Sequence, residues 1–190
     1  MSDDVELEHW EPTAAGVRAW AAITTALAIP LLVAFAVIAA IAGGGRTDLR
    51  VDGTNIWWLA ALTIGTLVVH EVVHGVAVLA FGRRPRFGAG RMHGVPYFYT
   101  TADAPFARDQ FIAIALLPLL AISLAGIALM FAAPAFAAWL IIPLAFNVIG
   151  SIGDANLVLV VIRYPRDVVV RDERTGITIV ARRNDSRTSR

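Results

Sequence analysis

Apolar residues fall into four long runs, separated by short polar segments. The runs cover residues 17–42, 56–81, 111–133 and 135–162. A helix of about 20 residues crosses a hydrocarbon core of about 30 Å, so each run is long enough to span a bilayer. The fourth run is interrupted by Pro143, Asn147, Gly150 and Gly153, and such breaks are tolerated where the backbone lines a cavity enclosed by protein. The pattern predicts an all-α membrane protein with about four transmembrane helices.

Two of the polar segments have the pattern of short β-strands. Between the second and third runs, residues 97–101 read Tyr-Phe-Tyr-Thr-Thr, and we expect a β-hairpin or loop near the cytoplasmic face. After the fourth run, two β-branched stretches flank the turn sequence Arg-Thr-Gly at 174–176, which predicts a second hairpin. Residues 182–190 are polar, and we expect them to be disordered.

These patterns divide the chain into three parts. They are a polar amino-terminal segment, a transmembrane domain and a β-prone cytoplasmic tail, at residues 1–16, 17–163 and 164–190. The first apolar run is too long for the core of a cleavable signal peptide, so we expect it to remain as an anchor.

Composition supports the membrane class and limits the chemistry. The 190 residues are 57% hydrophobic, with a mean hydropathy of +0.67, which is typical of membrane proteins. The chain has no cysteine, so disulfides and thiolate metal ligands are excluded. A net charge of +1 gives no indication of nucleic-acid binding.

Arginines indicate the orientation of the runs. The connection between runs two and three and the segment after run four are rich in arginine, whereas the loop after run one has only Arg46 and Arg50. The turn after run three has none. Positive residues favour the cytoplasmic side. We therefore expect a multi-pass protein of the cell membrane with both termini in the cytoplasm.

The second run contains the sequence His70-Glu71-Val72-Val73-His74. Residues four apart share one helix face, so His70 and His74 can bind the same metal ion, and Glu71 can polarise a metal-bound water. The structural alternative is a polar patch facing neighbouring helices. Ionisable residues inside membranes are costly and usually functional, which favours the metal site.

Asp154 is the fourth ionisable residue that lies well inside the runs. Two imidazoles and one carboxylate around a divalent cation, with a fourth position open for water, form a catalytic zinc pattern. Asp154 is therefore the predicted third ligand and Zn2+ the preferred metal, although the same donors bind other divalent ions. The alternatives for Asp154 are a hydrogen bond to a nearby Ser or Asn, or a place at the membrane interface.

Asn147 lies about two helical turns before Asp154 and can face the same side. It is a candidate for binding substrate or an oxyanion, and a helix–helix hydrogen bond is the alternative. His93 lies in a turn sequence that favours solvent, and His9 has no expected partner, so neither is included in the site.

This donor set predicts peptide-bond hydrolysis. Glu71 would act as general base and then protonate the leaving amine, while the zinc ion, helped by Asn147, would stabilise the tetrahedral oxyanion. The expected partners are a membrane-protein or peptide substrate and the lipid bilayer, without a preferred oligomeric state. The alternative is a non-proteolytic metal-binding regulator or a transporter. A transporter would show polar residues spread across the spans and an inverted repeat, whereas this chain has one compact cluster.

On these motifs the chain resembles the site-2 protease type of intramembrane zinc metalloprotease. It resembles more closely the membrane family of "putative zincin peptidases". The resemblance covers roughly residues 56–162 and rests on the histidine motif, the Asn-Val-Ile-Gly-Ser-Ile-Gly-Asp stretch at 147–154 and the β-prone segment at 96–101. It implies His70, His74 and Asp154 as metal ligands and Glu71 as base. Asp154 is followed by Ala155 where site-2 proteases usually have Gly, and no PDZ-like domain is present, which bears on substrate handling.

Overall fold

The fold is mostly helical, with two small antiparallel sheets. The computed structural model describes residues 5–45, 53 and 55–181. The helices are α1 (Ala14–Ala42), α2 (Asn55–Ala80), α3 (Arg108–Ala132), α4 (Ala137–Gly150) and α5 (Ile152–Val161), with a 3-10 turn at Pro134–Phe136 before α4. The strands are β1 (Val5–Trp10), β2 (Pro85–Met92), β3 (Val95–Ala102), β4 (Phe106–Ala107), β5 (Val168–Asp172) and β6 (Ile177–Ala181).

Four helical segments are long and apolar enough to cross a membrane: α1, α2, α3 and the segment Pro134–Val161 that contains α4 and α5. The four predicted helices are thus confirmed within the described residues. Helix α1 begins at Ala14, slightly earlier than predicted, because the hydroxyl of Thr13 caps it by accepting from the Gly16 amide at 3.1 Å. Large apolar side chains such as Ile29 and Val33 remain exposed along α1, as expected of a surface that faces lipid.

The fourth segment is broken in its second half, as the sequence predicted. Helix α4 ends at Gly150, and α5 begins at Ile152. Ser151 lies between them, and its hydroxyl donates to the Asn147 carbonyl at 2.8 Å. The break places Asp154 in the first turn of α5.

Helix α4 occupies the middle of the bundle and packs against α1, α2 and α3. An apolar core joins it to α1 and α3 through Phe35, Ala39, Met130, Leu144 and Ala145. Because α4 is central, its Asn147 side chain is fully buried within the protein.

The predicted hairpin between the second and third spans is confirmed. Strands β2 and β3 pair in antiparallel register from Pro85↔Ala102 to Met92↔Val95. His93 and Gly94 form the turn with φ angles of 49° and 87°, which suits the glycine and is uncommon for a histidine.

The predicted hairpin of the tail is also confirmed, but it belongs to a larger sheet. Strands β5 and β6 pair with each other, and the strand order is β1-β6-β5-β4. Strand β1 was not predicted from the sequence, although its first residues alternate between apolar and charged, which is the period-2 signal of a strand. Residues 182–190 and the loop arginines Arg46 and Arg50 lie outside the described residues.

All six described strands lie before α1, between α2 and α3, or after α5. They therefore gather at one end of the bundle, here called the sheet end. A second apolar core joins the four-stranded sheet to the helices through Phe106, Phe111, Val161, Val170 and Ile179. This core fixes the sheet against the ends of α2, α3 and α5.

Candidate metal centre

His70 and His74 lie one turn apart on the inner face of α2. Their exposed fractions are only 5% and 8%, and their ring centroids are 5.0 Å apart. The sequence spacing therefore places both imidazoles at one point inside the bundle, as helical periodicity requires.

The carboxylate of Asp154 meets both rings from α5. Its Oδ2 atom lies 3.3 Å from the Nε2 atom of His70 and 3.5 Å from the Nε2 atom of His74. One ligand atom from each of the three residues lies within 4.8 Å of the others. The three predicted ligands therefore lie together, two from α2 and one from the first turn of α5.

The Nδ1 atoms of His70 and His74 also have hydrogen-bond partners. His74 Nδ1 lies 3.0 Å from the carbonyl oxygen of Ile114 in α3. A carbonyl can only accept, so His74 carries a proton on Nδ1, and in the neutral ring the lone pair of Nε2 faces Asp154. His70 Nδ1 lies 3.0 Å from Oδ1 of Asn147. When Nδ1 of the neutral ring donates to that oxygen, Nε2 carries no proton, and its lone pair also faces Asp154.

This arrangement fits a metal ion. Nitrogen lone pairs and a carboxylate that face one another at 3.3–3.5 Å repel unless a cation lies between them. The cation can be a proton on one imidazole or a metal ion held by all three side chains. Two imidazole nitrogens and one carboxylate oxygen form the donor set of many catalytic zinc sites. The hydrogen bonds at Nδ1 of both rings match the supporting contacts of such sites.

Glu71 is held at the edge of the centre by the hairpin. The hydroxyl of Thr100 in β3 donates to Glu71 Oε2 at 2.7 Å, and Glu71 lines the same cavity as the two histidines. Sequence reasoning placed Thr100 in a strand but did not connect it with Glu71. Its only signal was a hydroxyl in a strand expected near the membrane surface.

The centre opens into a cavity of about 410 Å³. Helices α1, α2, α3 and α5 line it together with β3 and the turn between β5 and β6. Its wall is rich in aromatic side chains: Trp10, Trp20, Tyr97, Phe98, Tyr99 and Phe111. The space can accommodate a few residues of an extended peptide beside the centre.

Asp172 lines the cavity from the tail hairpin. Burial raises the pKa of its carboxyl to about 8, and the nearby carboxylates of Asp154, Glu173 and Glu71 act in the same direction. Sequence reasoning did not select this residue, because an aspartate in a polar tail carries no motif.

Asn147 is 0% exposed, and both ends of its amide are engaged. Its Oδ1 atom contacts His70, and its Nδ2 atom donates to the Ser123 hydroxyl at 3.2 Å. Asn147 does not line the cavity. This arrangement favours the helix–helix hydrogen bond over the predicted contact with substrate or an oxyanion.

The other two histidines lie away from the centre. His93 Nε2 is 3.1 Å from the Pro12 carbonyl oxygen, on the outside of the hairpin turn. The expectation that His9 has no partner is wrong, because its Nδ1 lies 3.0 Å from the Thr178 hydroxyl across the β1–β6 pair. Both histidines help to hold the amino-terminal segment at the sheet end.

Comparison with known proteins agrees with this geometry. A family model described as "Putative zincin peptidase" matches residues 63–169, more than half of the chain. The match contains the histidine motif in α2 and Asp154 in α5. No curated protein and no solved structure is significantly similar to the chain. With the match and the convergent donors together, the chain belongs to this zincin peptidase family.

Proposed function

We propose that the protein is a membrane-embedded zinc metalloendopeptidase that hydrolyses peptide bonds of membrane or membrane-proximal proteins. One observation carries the proposal: His70, His74 and Asp154 converge at one point, and Glu71 lines the same cavity. Family membership supports a metallopeptidase, and the donor set supports zinc.

The residues of the chain divide the chemistry between them. A bound zinc ion would supply Lewis-acid activation of water and of the scissile carbonyl group. The Glu71 carboxylate takes a proton from the attacking water and returns it to the leaving amine. Thr100 keeps that carboxylate directed into the cavity. Asn147 and the carbonyl of Ile114 orient the two imidazoles.

The packing of α1 supports a substrate that arrives from the membrane. Helix α1 packs mainly against α4, and its contact with α2 is slight. Val17 and Trp20 of α1 and Leu67 of α2 line the cavity between these helices. We infer that an unfolded segment of a membrane protein reaches the centre through this space.

Charge supports the proposed orientation. Arg83, Arg84, Arg163, Arg166 and Arg171 are exposed and lie at the sheet end. The positive-inside tendency supports a cytoplasmic location for this end. Cleavage would then occur in the cytoplasmic half of the bilayer, where α2 carries its histidines.

The test uses detergent-purified wild type, Glu71→Gln and Asp154→Ala, with β-casein and a panel of single-span membrane peptides as substrates. Elemental analysis should find about one zinc per chain in wild type and Glu71→Gln and less in Asp154→Ala. Cleavage, followed by mass spectrometry, should fall by about 10²- to 10⁴-fold in Glu71→Gln because the general base is lost.

Two results would contradict the proposal. Equal cleavage by wild type and Glu71→Gln would exclude Glu71 as the base. Absence of zinc from wild type after incubation with zinc salts would exclude the metal centre. Zinc binding without cleavage of any substrate would favour the metal-binding regulator.

A further inference from the structure

A line of hydrogen-bonded side chains crosses three helices behind the metal centre. It runs from Ser123 in α3 through Asn147 in α4 to His70 in α2, with contacts of 3.2 Å and 3.0 Å. Asn147 is 0% exposed, so water cannot replace either contact from the surface. His74 lacks such a line, because its outer partner is the backbone carbonyl of Ile114.

The direction of the Asn147 amide decides which nitrogen of His70 carries the proton. With Oδ1 towards His70, the imidazole donates from Nδ1, and the lone pair on Nε2 is available to a metal ion. With the amide rotated by half a turn, its NH2 group donates to Nδ1. The proton then resides on Nε2, where it can be donated to Asp154 but blocks coordination.

Both directions can keep the two contacts of the line. The Ser123 hydroxyl accepts from Nδ2 in one direction and can donate to Oδ1 in the other, since a hydroxyl is both donor and acceptor. The two directions differ at Asp154. A proton on His70 Nε2 attracts the carboxylate 3.3 Å away, whereas a bare lone pair requires a cation there.

We propose that Asn147 is a positioning residue whose amide oxygen holds His70 in its metal-binding tautomer and whose amide rotates when the metal is removed. His74 keeps its proton on Nδ1 in both states, because a carbonyl cannot donate. The rotation changes no net charge and keeps the contacts of Asn147 with His70 and Ser123. The metal centre can therefore lose and regain its ion without disturbing the helices. This inference rests on the zinc site proposed above.

Zinc affinity, measured by competition with a chelator in detergent, tests the positioning role. Asn147→Leu removes the acceptor at similar volume, and its zinc Kd should rise by about 10- to 100-fold, as for other residues that orient metal ligands. Asn147→Asp keeps an oxygen towards His70, so its Kd should equal that of wild type or be lower. Thr25→Val is the control, because the Thr25 hydroxyl bonds the Ala21 carbonyl within α1, outside this line, and its Kd should not change.

The rotation has a spectroscopic signature. In protein labelled with 15N-histidine, long-range proton–nitrogen correlations identify the tautomer of each ring, and a His70→Gln sample assigns the His70 signals. Wild-type His70 should be protonated on Nε2 without metal and on Nδ1 with zinc. In Asn147→Asp it should be protonated on Nδ1 in both conditions, because a carboxylate only accepts.

Three results would overturn the inference: an unchanged Kd in a folded Asn147→Leu, a weaker Kd in Asn147→Asp, or a wild-type His70 protonated on Nδ1 without metal. If Asn147→Leu does not fold, Asn147→Asp and the spectra of wild type decide. A wild type that binds no zinc refutes the metal centre itself, whereas a wild type that binds zinc regardless of Asn147 refutes only the positioning role.

Discussion

Asp172 is a partly buried acid that shares a cavity with three other carboxylates, and desolvation raises its pKa to about 8. Its carboxyl is therefore protonated at neutral pH when the chain is folded, whereas an unfolded chain ionises it near pH 4. Between these values the folded state holds a proton that the unfolded state has released. The contribution of this carboxyl group to the free energy of unfolding must therefore decrease as pH rises from about 4 to about 8.

Replacement of Asp172 by Asn, which cannot ionise, should remove this pH dependence. In metal-free protein the apparent Tm of Asp172→Asn should be close to that of wild type near pH 4. Between pH 4 and pH 8 the Tm of Asp172→Asn should exceed that of wild type by an increasing amount. Only in wild type must a carboxyl group take up a proton on folding, and this becomes less favourable as pH rises. Thermal unfolding in detergent at several pH values measures the difference. A constant difference across this range would contradict the shifted pKa.

The residues of the centre differ in how readily they can be predicted from the sequence. His70, Glu71, His74 and Asp154 could be predicted because charged groups are rare inside apolar runs and helical spacing brings two of them together. Thr100 lies in a strand outside the spans, where polar residues are common and carry little information. Its contact with Glu71 joins positions 29 apart and exists only because the hairpin folds against α2.

At the scale of elements, β1 closes the four-stranded sheet by pairing with β6 from Val5↔Ala181 to Trp10↔Ile177. Gly176 lies just before β6, where an added Cβ would overlap the Trp10 carbonyl oxygen and approach the Glu11 side chain. The four spans could be predicted from local hydropathy, because each is formed by contiguous residues. The pairing of β1 could not, since its partner strand lies at the other end of the chain.

Gly176→Ala should loosen β1 without altering the helices. Overlap with a backbone atom cannot be relieved by a side-chain rotation, so we expect a loss of about 1–3 kcal/mol in stability of the sheet end. A glutamate-specific protease should then cleave more rapidly after Glu6, Glu8 and Glu11. Gly65→Ala is the control, because a Cβ there meets nothing within 4 Å. Equal cleavage of both variants would show that β1 does not depend on Gly176.

At the scale of the whole molecule, the two ends of the bundle differ in charge and chemistry. The sheet end carries exposed arginines and the cavity, whereas the described parts of the other end show the glycines at 43–45 and the short turn before α4. Trp57 and Trp58 at the start of α2 are 76% and 69% exposed at that second end, the position of an aromatic belt. This asymmetry supports a sheet end in the cytoplasm.

The absence of cysteine from the chain makes this orientation directly testable. Asp167→Cys introduces a thiol at the sheet end, and Ala135→Cys introduces one at the opposite turn, both at exposed positions. In intact cells an impermeant maleimide should label only Ala135→Cys, and both variants should be labelled after the membrane is opened. Labelling of Asp167→Cys alone in intact cells would invert the proposed orientation.

The pairing of β1 with β6 also has a consequence for biosynthesis. A ribosome makes β1 before any of the four spans and β6 after all of them. The turn that closes the cavity, together with its Trp10 wall, can therefore form only once the last span has been inserted. A chain interrupted before α5 would hold both histidines without Asp154, so the three candidate ligands can meet only after the last helical segment has been made.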